Sequence, residues 1–284
     1  MVVVIVMLGA AIVIDSLPTG CWQESISAYY YTAARNVFVA ALCCLGIMLI
    51  VYKGSKDTED VLLNLAGSLA FFVAFVPVKI PDPGHCGQVS PTAGERLAAI
   101  DNNIGAVIVG LVVAGAIIAF VYFVDKPSRS DTTKWGNWLR LGSLIILAGF
   151  MGVFLLAPNH FQATAHYVAA IMVFAIIVAV VYINAYLVSK QDEQDSKTQR
   201  RYRRRYRFIG LMMLGSVIAA IVLAAAGGIA DIQGQKWNMP LFALETALLV
   251  EFAVFWGYQT IELWNHTDRN SLITPETQDT LAPL

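Results

Sequence analysis

The feature that most constrains this chain is a series of continuous apolar runs, each about as long as a helix needs to cross a bilayer. A helix that rises about 1.5 Å per residue needs roughly 20 apolar residues to span the hydrocarbon core. Runs of this kind recur along the sequence, separated by short polar, Gly or Pro segments. They do not alternate polar with apolar residues, as the strands of a membrane barrel would. They therefore predict a helical protein embedded in a membrane.

Composition supports this prediction, because 57% of the 284 residues are hydrophobic and only 14% are charged. Soluble domains are about 45–50% apolar and about 25% charged. We predict an all-α fold, a polytopic transmembrane bundle of about eight spans over residues 1–264, followed by a flexible tail over 265–284. The predicted spans are residues 2–14, 30–52, 61–78, 103–124, 138–157, 165–188, 208–229 and 240–263.

The first run, from Val2 to Ile14, is short for a bilayer. It resembles the apolar region of a secretory signal, but no basic residues precede it. We expect a retained short span, and a cleaved signal is the alternative.

Basic residues are distributed unevenly between the two sides of the predicted bundle. Fifteen of the 19 Lys and Arg residues fall in the even-numbered connections and the tail. The other four are Arg35, Lys79, Arg96 and Lys236. By the positive-inside rule, the even-numbered connections and the C-terminus are expected in the cytoplasm.

The four cysteines divide into two pairs. Cys43 and Cys44 lie within the second predicted span, where we expect them to pack. Cys21 and Cys86 lie in the first and third connections, which the topology places together outside the cell. A disulfide between Cys21 and Cys86 is therefore possible in an oxidising compartment, with free thiols as one alternative. A lipoprotein-like cleavage site ending at Cys21 is the other.

The segment KTQRRYRRRYR, residues 197–207, contains seven basic residues beside a predicted span. Each basic residue near an anionic leaflet gains about 1 kcal/mol. We expect contact with anionic lipid through Arg200, Arg201, Arg203, Arg204 and Arg205. A plain topological anchor, or a cytoplasmic protein partner, is the alternative.

Glu251 lies near the middle of the last predicted span, where an acidic side chain is costly unless it is protonated or paired. At about 100° per residue, Tyr258 and Glu262 fall on nearly the same helical face. We expect this stripe to face the bundle interior and to contact Ser216 or Asn184. It predicts an intramembrane polar site for a proton, a cation or a polar head group, or a structural hydrogen bond between helices.

Histidines offer weak candidates for a metal site. His85, His160 and His166 lie on the predicted outer side, and zinc bound by them would activate water. His160 and His166 are six residues apart, however, so they do not share a helical face as an i, i+4 pair does. Membrane hydrolases of the alkaline ceramidase and adiponectin receptor type use a Ser, an Asp and three His, and the last span here lacks their paired histidines.

Two stretches carry a family resemblance: ESISAYYYTAARNVFVAALCCLGIMLIVYK early in the chain, and GFMGVFLLAPNHFQATAHYVAAIMVFAIIVAVVYINAYLVSK with ALETALLVEFAVFWGYQTIELW later. They resemble the damage-regulated autophagy modulator and Sfk-like family of integral membrane proteins. That family has a His at the outer start of one span and a Glu followed by aromatic residues in the final span. His166 and Glu251 occupy these positions, and Phe252, Trp256 and Tyr258 follow Glu251. The family has six spans, so the resemblance implies an additional pair here, near Val61 to Val124.

The resemblance implies a non-enzymatic protein linked to lipid organisation or membrane trafficking. We therefore expect a lipid-associated scaffold or regulator without a cofactor, more plausibly a non-enzyme than an enzyme. We expect membrane lipids as its partners and expect no binding of nucleic acid. A protein partner, or a second copy of the chain, is a further alternative. A secondary transporter or channel that uses Glu251, and a zinc-dependent lipid hydrolase, are the alternatives. A retinal protein is excluded because the last two spans contain no lysine, and no P-loop motif is present.

Overall fold

The structure is a computed structural model that describes residues 1–78, 92–125, 133–189, 196–225 and 240–264. In these residues the chain forms eight α-helices, one 3₁₀ helix and no strand, which confirms the predicted all-α fold. The helices are α1 (Val2–Ser16), α2 (Arg35–Val51), α3 (Asp57–Phe75), α4 (Ala93–Asp125), α5 (Lys134–Leu156), α6 (Pro158–Val188), α7 (Ser196–Ala225) and α8 (Pro240–Glu262). The 3₁₀ helix, Ser27–Tyr31, precedes α2.

Length and composition identify a multi-pass membrane protein. Helices α3 to α8 are each long and apolar enough to cross a membrane. Helices α1 and α2 are also apolar but have only 15 and 17 residues. The predicted number of spans is therefore approximate, because these two helices are shorter than the roughly 20 residues that a full crossing needs.

Several helices begin at residues that differ from the starts of the predicted spans. Helix α4 begins at Ala93, ten residues before its predicted span, because Thr92 and Glu95 form a capping box. Helix α7 begins at Ser196, so the basic segment is helical and continuous with the span that follows it. Helix α2 begins only at Arg35, because the tyrosines before it form the 3₁₀ helix.

Six helices form a closed ring in the order α1, α2, α3, α6, α7, α8, and α8 returns to α1. Helices α4 and α5 lie outside this ring and pack against α3, and α5 also packs against α6. In α3, 67% of the span is buried, against 6% in α4 and none in α5. The peripheral pair is therefore α4 and α5, whereas the additional pair implied by the resemblance includes the central helix α3.

The two ends of the bundle differ in charge. Helices α3, α5 and α7 begin at one end of the bundle, which we call the basic end. An ion pair between Asp57 of α3 and Arg140 of α5 joins two of these helices. The described basic residues there are Lys53, Lys56, Lys134, Lys197, Arg140 and the arginines of α7. The 3₁₀ helix lies at the other end, which we call the opposite end. Helices α2, α4, α6 and α8 begin there. Its described basic residues are Arg35 and Arg96.

Helices α2 and α3 pack closely through two glycines. A Cβ added at Gly67 would lie 2.5 Å from the carbonyl oxygen of Gly46, and one added at Gly46 would lie 2.9 Å from the carbonyl oxygen of Gly67. Small residues at such crossings allow two helices in a membrane to approach each other closely. The buried position of α3 in the ring therefore depends on both glycines.

We predict that Gly67→Ala destabilises the bundle by about 1–3 kcal/mol, because the added methyl group overlaps a backbone oxygen that cannot rotate away. The measurement is the free energy of unfolding in mixed detergent micelles, followed by circular dichroism. Gly115→Ala on the peripheral helix α4 is the matched control, because nothing lies within 4 Å of a Cβ at that position. Equal losses in the two variants would contradict the close crossing.

Candidate functional site

A polar network at the opposite end joins three parts of the chain, and we call it the Glu245 network. His166 of α6 is 3% exposed. Its Nδ1 lies 2.6 Å from the carbonyl oxygen of Val76, directly after α3, and its Nε2 lies 2.9 Å from Oγ of Ser27. Glu245 of α8 accepts hydrogen bonds from the backbone N–H groups of Ile26 and Ser27. Its other oxygen lies 3.3 Å from Oγ of Ser27.

Glu245 and His166 each satisfy backbone groups that have no partner within their own helix. The first N–H groups of a helix have no acceptor within the helix, and the last carbonyls have no donor. Glu245 caps the start of the 3₁₀ helix from more than 200 residues away in sequence. His166 donates to the carbonyl that follows α3. Together they attach the 3₁₀ helix to the ends of α3, α6 and α8.

The pair of Ser27 and His166 also defines a hydrogen-bond direction. A carbonyl oxygen only accepts, so Nδ1 of His166 carries a proton. In the neutral ring Nε2 is an acceptor, so the single proton of the Ser27 hydroxyl has two acceptors within reach, this nitrogen and Oε1 of Glu245. Hydrolases activate a serine with a similar contact, but there a carboxylate usually orients the imidazole. Here a backbone carbonyl does so and Ser27 is 7% exposed, so the geometry is that of a buried link between helices.

A second network, which we call the Glu59 network, lies at the basic end. Glu59 of α3 and Asn184 of α6 are both fully buried. One carboxylate oxygen of Glu59 accepts from the amide of Asn184 at 2.7 Å, and the other accepts from the backbone N–H of Ser55 at 2.8 Å. Gln259 of α8 donates to Oδ1 of Asn184 at 3.3 Å and to the hydroxyl of Tyr52 at 3.0 Å. This network connects α3, α6 and α8 with the residue that follows α2.

Glu251 lies between these two networks along α8. Its Oε1 accepts from the hydroxyl of Ser216 of α7 at 3.2 Å, whereas its Oε2 is buried and has no hydrogen-bond partner. Asn184, the other expected contact, bonds to Glu59 and Gln259 instead, because it lies a helical turn or more closer to the basic end. The intramembrane glutamate therefore contacts α7 alone by hydrogen bond.

Tyr258 and Glu262 lie on α8 near the start of α7. Glu262 accepts from the hydroxyl of Tyr206, which is fully buried. The guanidinium group of Arg205 lies 4.6 Å from the ring centre of Tyr258. The stripe of Glu251, Tyr258 and Glu262 thus follows the contact between α7 and α8, and its three members make separate contacts.

The histidines do not converge in the part of the chain that the structure describes. His160 is exposed on α6, and both ring nitrogens of His166 are bonded to protein atoms. Among the described residues no group of three or more His, Cys, Asp or Glu side chains is placed to hold a metal ion. His85 lies outside the described residues, so its role stays a prediction.

The cysteines differ in their bonding. Cys21 is disulfide-bonded, and Cys43 and Cys44 are free and half-buried within α2. Cys86 lies outside the described residues, so the pairing of Cys21 with Cys86 stays a prediction.

Sequence reasoning missed Ser27, Glu59, Glu245 and Gln259. The sequence carries signals for three of them: Glu59 and Glu245 are carboxylates at the ends of apolar helices, and Gln259 interrupts an aromatic run. At about 100° per residue, Glu245 lies roughly 120° around the helix from Glu251, so the two do not share a face. Helical periodicity could not show the hydrogen-bond partner of Glu245, because Ser27 lies in the connection between α1 and α2, far from α8 in the sequence.

The fold and its polar networks define an all-α, multi-pass membrane protein with buried hydrogen-bonded links between its helices. Comparison of the chain with protein-family models, with curated proteins and with solved structures finds no match.

We predict that His166→Ala destabilises the protein by about 2–3 kcal/mol, because it removes the side-chain donor to the Val76 carbonyl and one of the two side-chain partners of the Ser27 hydroxyl, and it empties a buried site. His160→Ala, on the exposed side of the same helix, should change the free energy of unfolding by no more than about 0.5 kcal/mol. Unfolding in mixed micelles compares the two variants. A loss in His160→Ala as large as that in His166→Ala would contradict this account.

The predicted pairing of Cys21 with Cys86 is tested by alkylation of the unfolded, unreduced protein and mass spectrometry. We expect modification of the two free thiols, Cys43 and Cys44, and of all four cysteines after reduction. Cys86→Ala should expose Cys21 to the reagent without reduction. If Cys21 stays unreactive in Cys86→Ala, its disulfide partner is not Cys86.

Proposed function

We propose that this protein is a lipid-associated membrane scaffold or regulator whose basic end binds anionic lipids of the cytoplasmic leaflet. The observation that carries the proposal is the start of α7, where seven basic residues lie on a helix that continues directly into a membrane span. None of them forms an ion pair with a described acidic residue, since the ion pair found in the described residues joins Asp57 and Arg140.

The side chains of this segment divide between two faces of α7. Tyr202 and Tyr206, one helical turn apart, stack on each other and pack into the bundle. The exposed face carries the basic stripe, which consists of Lys197, Arg200, Arg201, Arg204 and Arg207. At about 100° per residue these five positions fall within roughly a third of the helix circumference. A rigid stripe of this kind loses little conformational entropy when it meets a charged surface.

Two facts support the cytoplasmic leaflet as the target. Fifteen of the 19 basic residues belong to the even-numbered connections and the tail, which the positive-inside rule assigns to the cytoplasm. The described members of that set lie at the basic end of the bundle. Cytoplasmic leaflets are rich in anionic lipid and attract such segments.

We predict that the quadruple variant Arg200→Gln, Arg201→Gln, Arg204→Gln, Arg207→Gln binds anionic lipid at least about tenfold more weakly than the natural chain. The reason is that each basic residue contributes about 1 kcal/mol near an anionic surface and about 1.4 kcal/mol corresponds to a factor of ten. The measurement is energy transfer from the protein in nanodiscs to labelled phosphatidylserine. Competition with unlabelled phosphatidylserine at two salt concentrations gives the relative affinity.

The matched control replaces the same four arginines with lysine, which keeps the charge and should retain most of the binding. The natural chain and the lysine variant should both lose affinity as salt rises, because exposed charges are screened. Binding by the glutamine variant that equals that of the natural chain would refute the proposal.

We propose neither a transporter that uses Glu251 nor a zinc-dependent lipid hydrolase. Glu251 bonds to Ser216 of the neighbouring helix, and His166 is committed to Val76 and Ser27. Both residues therefore act within links between helices in the described structure.

A further inference from the structure

A cleft of about 480 Å³ opens at the opposite end of the bundle. Its wall comes from four places in the chain: the end of the 3₁₀ helix, the first residue of α2, the residues after α3 and the first turn of α4. The residues that matter for its chemistry are Tyr30, Tyr31, Arg35, Glu95 and Arg96. A volume of roughly 300–1,000 Å³ is typical of sites for small molecules.

The two arginines of the cleft have no acidic partner among the described residues. Arg35 donates to the hydroxyl of Tyr30 at 2.7 Å, and its guanidinium group lies 4.3 Å from the centre of the Tyr30 ring. Arg96 makes one long bond of 3.4 Å to the carbonyl oxygen of Pro77, and its Nε is buried without a partner. Each guanidinium group has five N–H donors, so both retain donors for a ligand.

The single carboxylate of the cleft does not neutralise these arginines. Glu95 accepts from the backbone N–H of Thr92 at 2.9 Å and from its hydroxyl at 2.8 Å, which commits one of its oxygens to the capping box of α4. The cleft therefore carries two guanidinium charges against one carboxylate.

Tyr31 of the cleft remains uncharged. Burial raises the pKa of Tyr31 to about 12, even though the positive charge of Arg96 acts to lower it. The Tyr31 hydroxyl donates to the carbonyl oxygen of Val78 at 2.8 Å. At neutral pH the phenol therefore adds no negative charge that would repel an anion.

The helices add to the positive potential of the cleft. Helices α2 and α4 both begin there, and the start of a helix carries a partial positive charge that favours anions. Arginine matches phosphate particularly well, because its planar fork donates two parallel hydrogen bonds. Convergence of two such residues from α2 and α4 points to a phosphate group as the ligand.

The position of the cleft indicates the source of this phosphate. The cleft lies where α2, α3 and α4, three apolar helices of a membrane protein, reach the end of the bundle, which is the depth of lipid head groups. Along α4, which leads away from the cleft, large apolar side chains are exposed, among them Leu97, Val109 and Val112. Acyl chains of a lipid can therefore follow α4 while its head group occupies the cleft.

We propose that this cleft binds the phosphate group of a phospholipid head group between Arg35 and Arg96. The site is separate from the basic stripe of α7, because it lies at the other end of the bundle and in the other leaflet. It does not depend on the proposed function or on the orientation of the protein in the membrane.

The test measures the shift in thermal unfolding of the detergent-solubilised full chain with three probes. These are dihexanoyl phosphatidylglycerol, the phosphate-free analogue dihexanoylglycerol and inorganic phosphate. We expect saturable stabilisation by the phospholipid and none by the phosphate-free analogue. Inorganic phosphate at much higher concentration should displace the phospholipid. Stabilisation by inorganic phosphate with no advantage for the phospholipid would overturn the assignment to lipid.

The variants locate the site. Each variant is made in a chain that already carries the quadruple glutamine variant of the basic stripe, so that only the cleft is measured. Arg35→Gln with Arg96→Gln should then weaken phosphatidylglycerol binding at least tenfold, whereas His160→Gln, exposed at the same end of the bundle but outside the cleft, should leave it unchanged. Arg96→Lys, which keeps the charge but loses the planar fork, serves if the double variant does not fold, and it should bind several-fold more weakly. Unchanged binding in the folded double variant, or in Arg96→Lys where only that variant folds, would refute the proposal.

Discussion

Two carboxylates, the buried Glu59 and the half-buried Glu245, each join several parts of the chain at one end of the bundle. A hydrocarbon interior offers no water, so each polar group within it must find a partner in the protein. Glu245 accepts the free N–H groups at the start of the 3₁₀ helix, and Glu59 accepts the N–H of Ser55 and the amide of Asn184. Loss of one partner leaves a buried polar group unsatisfied, which is why these contacts fix the arrangement of α3, α6 and α8.

The ring and the peripheral pair are stabilised by different means. Within the ring, α2 approaches α3 through Gly46 and Gly67, and the two carboxylate networks join α3, α6 and α8. Helix α5 is attached at its start, where Arg140 and the backbone of Thr133 bond to Asp57. The remainder of α4 and α5 exposes large apolar side chains that lipid would cover. The six-helix ring therefore positions the basic stripe of α7, whereas the cleft lies where the ring meets the peripheral helix α4, which supplies Arg96.

The sequence predicted the helices well because continuous apolar runs leave a backbone in lipid few alternatives to a helix. It predicted their starts less well, since capping depends on single residues: Thr92 extends α4, and the tyrosines before Arg35 shorten α2. For Glu251, the sequence left two expected contacts, Ser216 and Asn184, and the structure has the first, which lies on the neighbouring helix α7. The long-range partners, Asn184 for Glu59 and the start of the 3₁₀ helix for Glu245, could not be anticipated, because they lie more than 100 residues away and a helical wheel describes only one helix.

The acidic and basic residues of this chain have different roles, although they are almost equal in number. Among the described residues, Asp57, Glu59, Asp60, Glu95, Glu245, Glu251 and Glu262 all accept hydrogen bonds from protein groups. The carboxylates are thus engaged in capping helices and joining them. The exposed arginines of α7, and Arg35 and Arg96 of the cleft, have no acidic partner among the described residues. A chain with a formal net charge of −1 therefore collects basic groups that lack an acidic partner among the described residues in two places, the basic stripe of α7 and the cleft beside α4.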